Sequence, residues 1–149
     1  MGIKNLLKFL NSYPDLVLEK NIDDFKGKKI AIDISILLYQ VVISVRNSGA
    51  DLTNRKGEIT SHILGLFNKT IKLLNQGIIP IYVFDGKPPD IKRKTLDMRK
   101  NIRKKAAEKM ALAKTEKEKI KYFKRSVVIN KQQLNECRHL LTLMGVAYV

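Results

Sequence analysis

Two aspartates stand where a divalent cation could be held. Asp33 closes the apolar run Ile30-Ala31-Ile32, and Asp85 closes a second run from Ile78 to Phe84. If both runs are parallel strands of one sheet, their carboxylates emerge at the same edge, where open α/β sheets place ligands. Two neighbouring carboxylates repel, and a hard dication keeps both ionised. With a nucleic acid as partner, Mg²⁺ between such carboxylates and a phosphodiester invites hydrolysis, one ion generating the nucleophile and a second steadying the leaving oxygen. Each aspartate also has an ordinary reading. Asp33 or Ser35 could cap the following helix, and Asp85-Gly86 could be a turn.

A polyanionic partner is suggested by charge. The chain has 29 Lys and Arg against 14 Asp and Glu, a net charge of +15 over 149 residues. From Lys92 to Arg125 there are fifteen basic and four acidic residues, so this stretch carries +11 and the remaining 115 residues only +4. Nucleic acid is the first candidate for such a surface. Lys92, Arg99 and Arg103 share one helix face by spacing, a few residues after Asp85, where they could clamp phosphate and offset transition-state charge. A solvated basic face is the plainer reading, and it is the one taken for Lys114, Lys117, Lys119 and Lys121. Tyr39 could stack on a base or serve as core. His62 and His139 have no ligand partner at useful spacing and are read as structural or surface residues.

The elements that must position these groups are legible in outline. Leu6, Leu7, Phe9 and Leu10 suggest a short helix stopped near Asn11-Ser12-Tyr13-Pro14, and Lys29 to Asp33 a strand buried on both faces. Leu37, Leu38, Val41, Val42 and Val45 repeat at helical spacing. Thr60 or Ser61 should cap a long helix with Ile63, Leu64, Phe67, Ile71 and Leu74 as its buried stripe. Gly77 stands where that helix should end, before the strand Ile78 to Phe84. Strand, helices, strand implies a parallel crossover and an α/β fold.

In the basic stretch, Met98, Ile102, Ala106 and Met110 form a narrow apolar stripe. A helix so charged should pack shallowly, project from the body, continue past Lys114-Thr115 and return through Tyr122-Phe123. Asn130 with Gln133 reads as a capping box for a last helix whose buried stripe is Leu134, Cys137, Leu141 and Met144. Gly145 ends it, and Val146 to Val149 begins a third strand. The basic stretch is an insertion, about residues 90–128, in a single domain over 1–149.

Other classes are disfavoured. The longest apolar runs are too short to span a bilayer, so no membrane partner is expected. The single Cys137 allows neither an intrachain disulfide nor a cysteine-based zinc cluster, which suits a reducing compartment. The N-terminus has neither the apolar region of a signal peptide nor the Ser or Thr that myristoylation needs at position 6.

The motifs Met1-Gly2-Ile3, Ile30-Ala31-Ile32-Asp33, Thr60-Ser61-His62, Glu136 through Gly145, and above all Val83-Phe84-Asp85-Gly86-Lys87-Pro88-Pro89 resemble eukaryotic-type flap endonucleases. The resemblance runs along the whole chain. It implies a PIN-like, resolvase-like α/β sheet with flanking helices, incomplete at the C-terminus, and cleavage of 5′ flaps near a single-strand/double-strand DNA junction. It further implies two Mg²⁺ ions, with Mn²⁺ as an alternative. By the resemblance, Asp33 and Asp85 are metal ligands, and Lys92 and Arg99 contact the scissile phosphate. Tyr39 stacks near the active site and Gly2 lies close to the substrate; Arg103 is assigned to DNA binding by its spacing alone, on the helix face of Lys92 and Arg99. The basic insertion becomes a gateway and cap through or under which a flap passes.

Asn5 departs from the family's usual Gly. The family's further acidic ligands, helix-hairpin-helix grip and sliding-clamp-binding tail lie beyond Val149. A monomer is expected, in the nucleus of a eukaryote, or otherwise in the cytoplasm or a viral host cell. The competing readings are a truncated, non-catalytic binder of DNA junctions and, third, a complete PIN-type RNA nuclease.

Overall fold

The computed structural model describes residues 3, 5–13, 15–47, 52–86 and 88–149, and the side chains of 46 and 47 are outside that description. In chain order the elements are α1 (Leu6–Leu10), β1 (Lys29–Asp33), α2 (Ile34–Asn47), α3 (Ser61–Asn75), β2 (Ile79–Val83), α4 (Arg93–Ala111), α5 (Glu116–Ser126) and α6 (Lys131–Leu143). Short 3₁₀ turns lie at Ile22–Phe25 and Asp90–Lys92.

β1 and β2 pair in parallel, with Ile30 opposite Pro80, Ile32 opposite Tyr82 and Asp33 opposite Val83. After α6 the chain returns beside β2, where Tyr148 bridges Tyr82 in parallel and the Phe84 N–H donates to the Val149 carbonyl at 2.8 Å. The third strand does begin there, as an isolated bridge beside a two-stranded parallel sheet, and the architecture is the expected α/β one.

Burial on both faces of β1 is not observed. Ile30 and Ile32 are half-buried while Lys29, Ala31 and Asp33 are exposed. Their partners Pro80 and Tyr82 are buried, whereas Ile79 and Val83 on the alternate face are exposed. The period-two pattern means that the described helices cover one face only.

On that face Ile34, Leu37 and Leu38 of α2, Leu66 of α3, Tyr82 of β2, and Cys137 and Leu141 of α6 form the core, with Val146. The Tyr82 hydroxyl lies 2.7 Å from Thr70 Oγ1, which donates to the Leu66 carbonyl, so the buried phenol keeps a partner and stays protonated. Burial pushes the Cys137 thiol up to about 12. A thiol that is neutral and enclosed is a poor nucleophile, so iodoacetamide should leave Cys137 unmodified in the folded chain and label it rapidly in denaturant.

α3 is rotated relative to its apolar pattern. Ser61, His62, Leu66 and Thr70 are buried, while Leu64, Phe67 and Leu74 are exposed. Helical spacing turns the expected stripe roughly 100° from the buried face. Polar residues win the interior because each finds a partner. His62 Nε2 lies 2.7 Å from Glu136 of α6, and Ser61 Oγ accepts from the Leu52 N–H at 3.2 Å. Thr60 takes the cap position but its hydroxyl donates to the Leu52 carbonyl, so neither Thr60 nor Ser61 caps the helix.

The hydrogen bond from Gln132 holds Glu136 below its ordinary value of 4.5, burial opposing it and His62 assisting. Stability from Glu136 is therefore present above the ordinary value and lost as pH falls through the lower folded one.

Gly65 sets the approach of α3 to α2: a Cβ there would overlap Val41 Cγ1 and press on the rest of that side chain. Gly65→Ala should destabilise by roughly 1–3 kcal/mol, the usual cost of overpacking, read as a lower midpoint in urea. At the ends of α3 and α6 the reading holds. Gly77 and Gly145 have φ of 73° and 66°, and each is followed by a residue whose N–H returns to the helix, Ile78 to Leu73 and Val146 to Leu141. The Asn130–Gln133 capping box is also present.

Candidate functional site

Asp33 is the last residue of β1 and Asp85 lies two residues beyond β2, so the parallel sheet presents both at one edge. Asp33 Oδ1 accepts the Ile36 N–H at 3.0 Å and thereby caps α2. Its ordinary role is therefore real, and it consumes one oxygen. Asp85 is held from a distance: its Oδ2 accepts from Ser35 Oγ at 2.8 Å, across fifty residues of sequence. Asp33 Oδ2 and Asp85 Oδ1 carry no hydrogen bond among the described residues. Both carboxylates are exposed at the sheet edge.

Ser35 is the group that sequence reasoning missed, since it was weighed only as a helix cap. It sits at the second position of α2, where its hydroxyl does not close a turn within its own helix. The only signal was a hydroxyl two residues after an aspartate at a strand end.

The donors suit a hard dication in kind, being carboxylate oxygens on a rigid edge. In number they form part of a shell. Among the described residues no three of His, Cys, Asp or Glu gather in one place. Mg²⁺ would therefore depend on water and further oxygens around Asp33 and Asp85.

The basic helix begins just past this edge. Lys92 ends the Asp90–Lys92 turn and its backbone leads directly into α4, with Lys92 and Arg99 exposed. Arg103 is half-buried on Tyr39: its Nη2 donates to the Tyr39 hydroxyl at 2.9 Å, and its guanidinium lies 5.6 Å from the ring centroid. Tyr39 is one helical turn after Ser35 on α2. The first turns of α2, capped by Asp33, thus carry Ser35 and the residue on which the basic helix docks.

Two groups assigned to DNA contact are in this way occupied with each other. Replacing Arg103 by Ala should uncover the Tyr39 ring, and an increase in Tyr39 quenching by acrylamide in a single-tyrosine background would show it.

α4 and α5 pack on one another through a break at 112–115. The apolar stripe is only half used. Ala106 is buried and Met110 half-buried, but Met98 and Ile102 are 61% and 53% exposed, because α5 returns alongside the later turns of α4. Tyr122 and Phe123 are half-buried in that return. Gly2 and Lys87 lie outside the described residues.

The XPG N-terminal domain family matches residues 1–106. "Flap endonuclease 1-B" of Physcomitrium patens is 46% identical over 154 aligned residues, which cover all of this chain and 44% of that protein. A solved "flap endonuclease-1 from Methanococcus jannaschii" is 39% identical with a TM-score of 0.57, over 87% of this chain and 42% of that one. The catalytic core of Rad2 in complex with DNA substrate shares the fold at a TM-score of 0.61 and 24% identity, over 99% of this chain and 35% of that one. The chain thus spans less than half the length of the relatives it matches.

Proposed function

We propose that this chain, which belongs to the XPG N-terminal domain family, supplies the N-terminal part of a structure-specific DNA nuclease that cuts 5′ flaps at single-strand/double-strand junctions. The observation that carries this reading is the juxtaposition at one sheet edge of two exposed carboxylates and the start of a basic helix on which Lys92 and Arg99 are exposed. Similarity to flap endonucleases over the whole chain supports the substrate class.

In this reading Asp33 and Asp85 hold two Mg²⁺ ions together with oxygens from the remainder of the protein. When bound, the cations supply Lewis-acid stabilisation and an ionised nucleophile. The chain's own residues do the rest. Asp33 and Asp85 fix the reacting edge, and Lys92 and Arg99 draw the scissile phosphate to it. The segment about 90–128 forms the arch that passes the flap, and Arg103, Tyr39 and Gly2 contact DNA nearby. A sliding clamp, engaged by a tail beyond this chain, belongs to the same proposal.

The test is competition binding and cleavage with a 5′-flap duplex and a blunt duplex of equal length, in Mg²⁺. Preference for the flap, with incision at the junction, is expected of the protein that carries the complete ligand set. Equal affinity for both DNAs would reduce the chain to a generic polycation.

The second reading is a junction binder that does not cut, and it draws on the fact that no third His, Cys, Asp or Glu gathers with Asp33 and Asp85 among the described residues. It predicts flap preference without product, with affinity falling steeply as salt rises.

A further inference from the structure

We propose that Ser35 is a positioning residue that sets which oxygen of Asp85 faces the cation, an inference that rests on the metal-binding reading of the site. Asp85 needs such a tether more than Asp33 does. Asp33 is locked by the β1 ladder on one side and by its bond to the Ile36 N–H on the other. Asp85 follows β2 on a stretch without regular structure, and Gly86 comes next. Untethered, its carboxylate would rotate freely about two side-chain torsions.

The Ser35 hydroxyl stops that rotation. Serine is the donor, since an ionised carboxylate only accepts. The 2.8 Å bond occupies Oδ2 and leaves Oδ1 without a hydrogen bond among the described residues. Asp33 is arranged in the same way, with Oδ1 taken by the protein and Oδ2 left over. Both tethers come from the first turn of α2, at Ser35 and Ile36, so the two remaining oxygens are referenced to one rigid element. Mg²⁺ demands near-ideal geometry, and partners that orient a ligating carboxylate typically govern metal affinity by ten- to a hundredfold.

Mn²⁺ is the probe. Its paramagnetic broadening of the Ser35, Ile36 and Gly86 amide resonances reports binding at this edge even when binding is weak. Ser35→Ala should raise the Mn²⁺ concentration at half-broadening about tenfold, with the thermal midpoint of unfolding unchanged, and Ser35→Thr should restore it. If Ser35→Ala fails to fold, Ser35→Cys, which keeps the side-chain size and only a weak donor, takes its place with the same expected shift.

A half-broadening concentration within twofold of the parent for the folded variant, while Asp85→Ala shifts it strongly, overturns the positioning role and leaves the metal site standing. If Asp33→Asn and Asp85→Ala also leave broadening unchanged, the metal reading itself has failed, and the proposal falls with it.

Discussion

Asp85→Asn should lower flap cleavage about 1,000-fold in the protein that carries the complete ligand set, while junction binding at low Mg²⁺ stays within a few-fold of the parent. Charge stabilisation by a bound dication is worth several kcal/mol in the transition state, and each 1.36 kcal/mol is a factor of ten in rate. Asparagine can still accept the Ser35 hydroxyl, so the loop geometry seen at 2.8 Å survives and only the charge is removed.

Asp33 calls for the same conservative change for a different reason. Alanine there would also delete the cap on the Ile36 N–H, typically about 1 kcal/mol of helix stability, and would confuse unfolding with loss of metal. Asp33→Asn keeps an acceptor at the cap and isolates the ligand. Cleavage within tenfold of the parent for either asparagine variant would refute the metal assignment. An equal loss of DNA binding would show that the carboxylates organise the fold rather than the chemistry.

How much of this was legible in the residues differs by element. β1 was read to its ends because an apolar run closed by an aspartate leaves little latitude, and the Asn130–Gln133 box and Gly77 and Gly145 are local signals that need no tertiary knowledge. α3 was misread because three of its four buried positions, Ser61, His62 and Thr70, are polar. Nothing local says that Thr70 will meet Tyr82 or that His62 will meet Glu136, 74 residues away.

The two-sided burial expected of β1 failed for a similar reason. A run such as Ile30-Ala31-Ile32 reports what a strand can tolerate, and which face is covered depends on helices elsewhere. At the site, the edge shared by Asp33 and Asp85 follows from strand order alone. The oxygen-by-oxygen assignment required Ser35, whose role is a contact across fifty residues. The docking of Arg103 on Tyr39 was likewise invisible, although both residues had been singled out separately.

That docking bears on the second large effect, expected for Lys92→Ala/Arg99→Ala. Arg103 anchors α4 to α2 through Tyr39, so the helix stays in place when the two exposed residues of its earlier turns are truncated. The double variant should therefore retain its fold and most of its affinity while losing about 100- to 1,000-fold in single-turnover cleavage, the usual consequence of removing groups that stabilise developing charge. Affinity should respond mainly through salt. Two lost phosphate contacts flatten the logarithmic slope of binding against salt by about two.

Lys117→Ala/Lys119→Ala is the control, because these residues lie on the exposed return helix α5 and are read as solvated. Its single-turnover rate should match the parent's. If affinity falls while the single-turnover rate at saturating protein matches the parent's, as uniform loss of ground-state and transition-state binding requires, Lys92 and Arg99 are phosphate anchors and the catalytic contribution assigned to them is wrong.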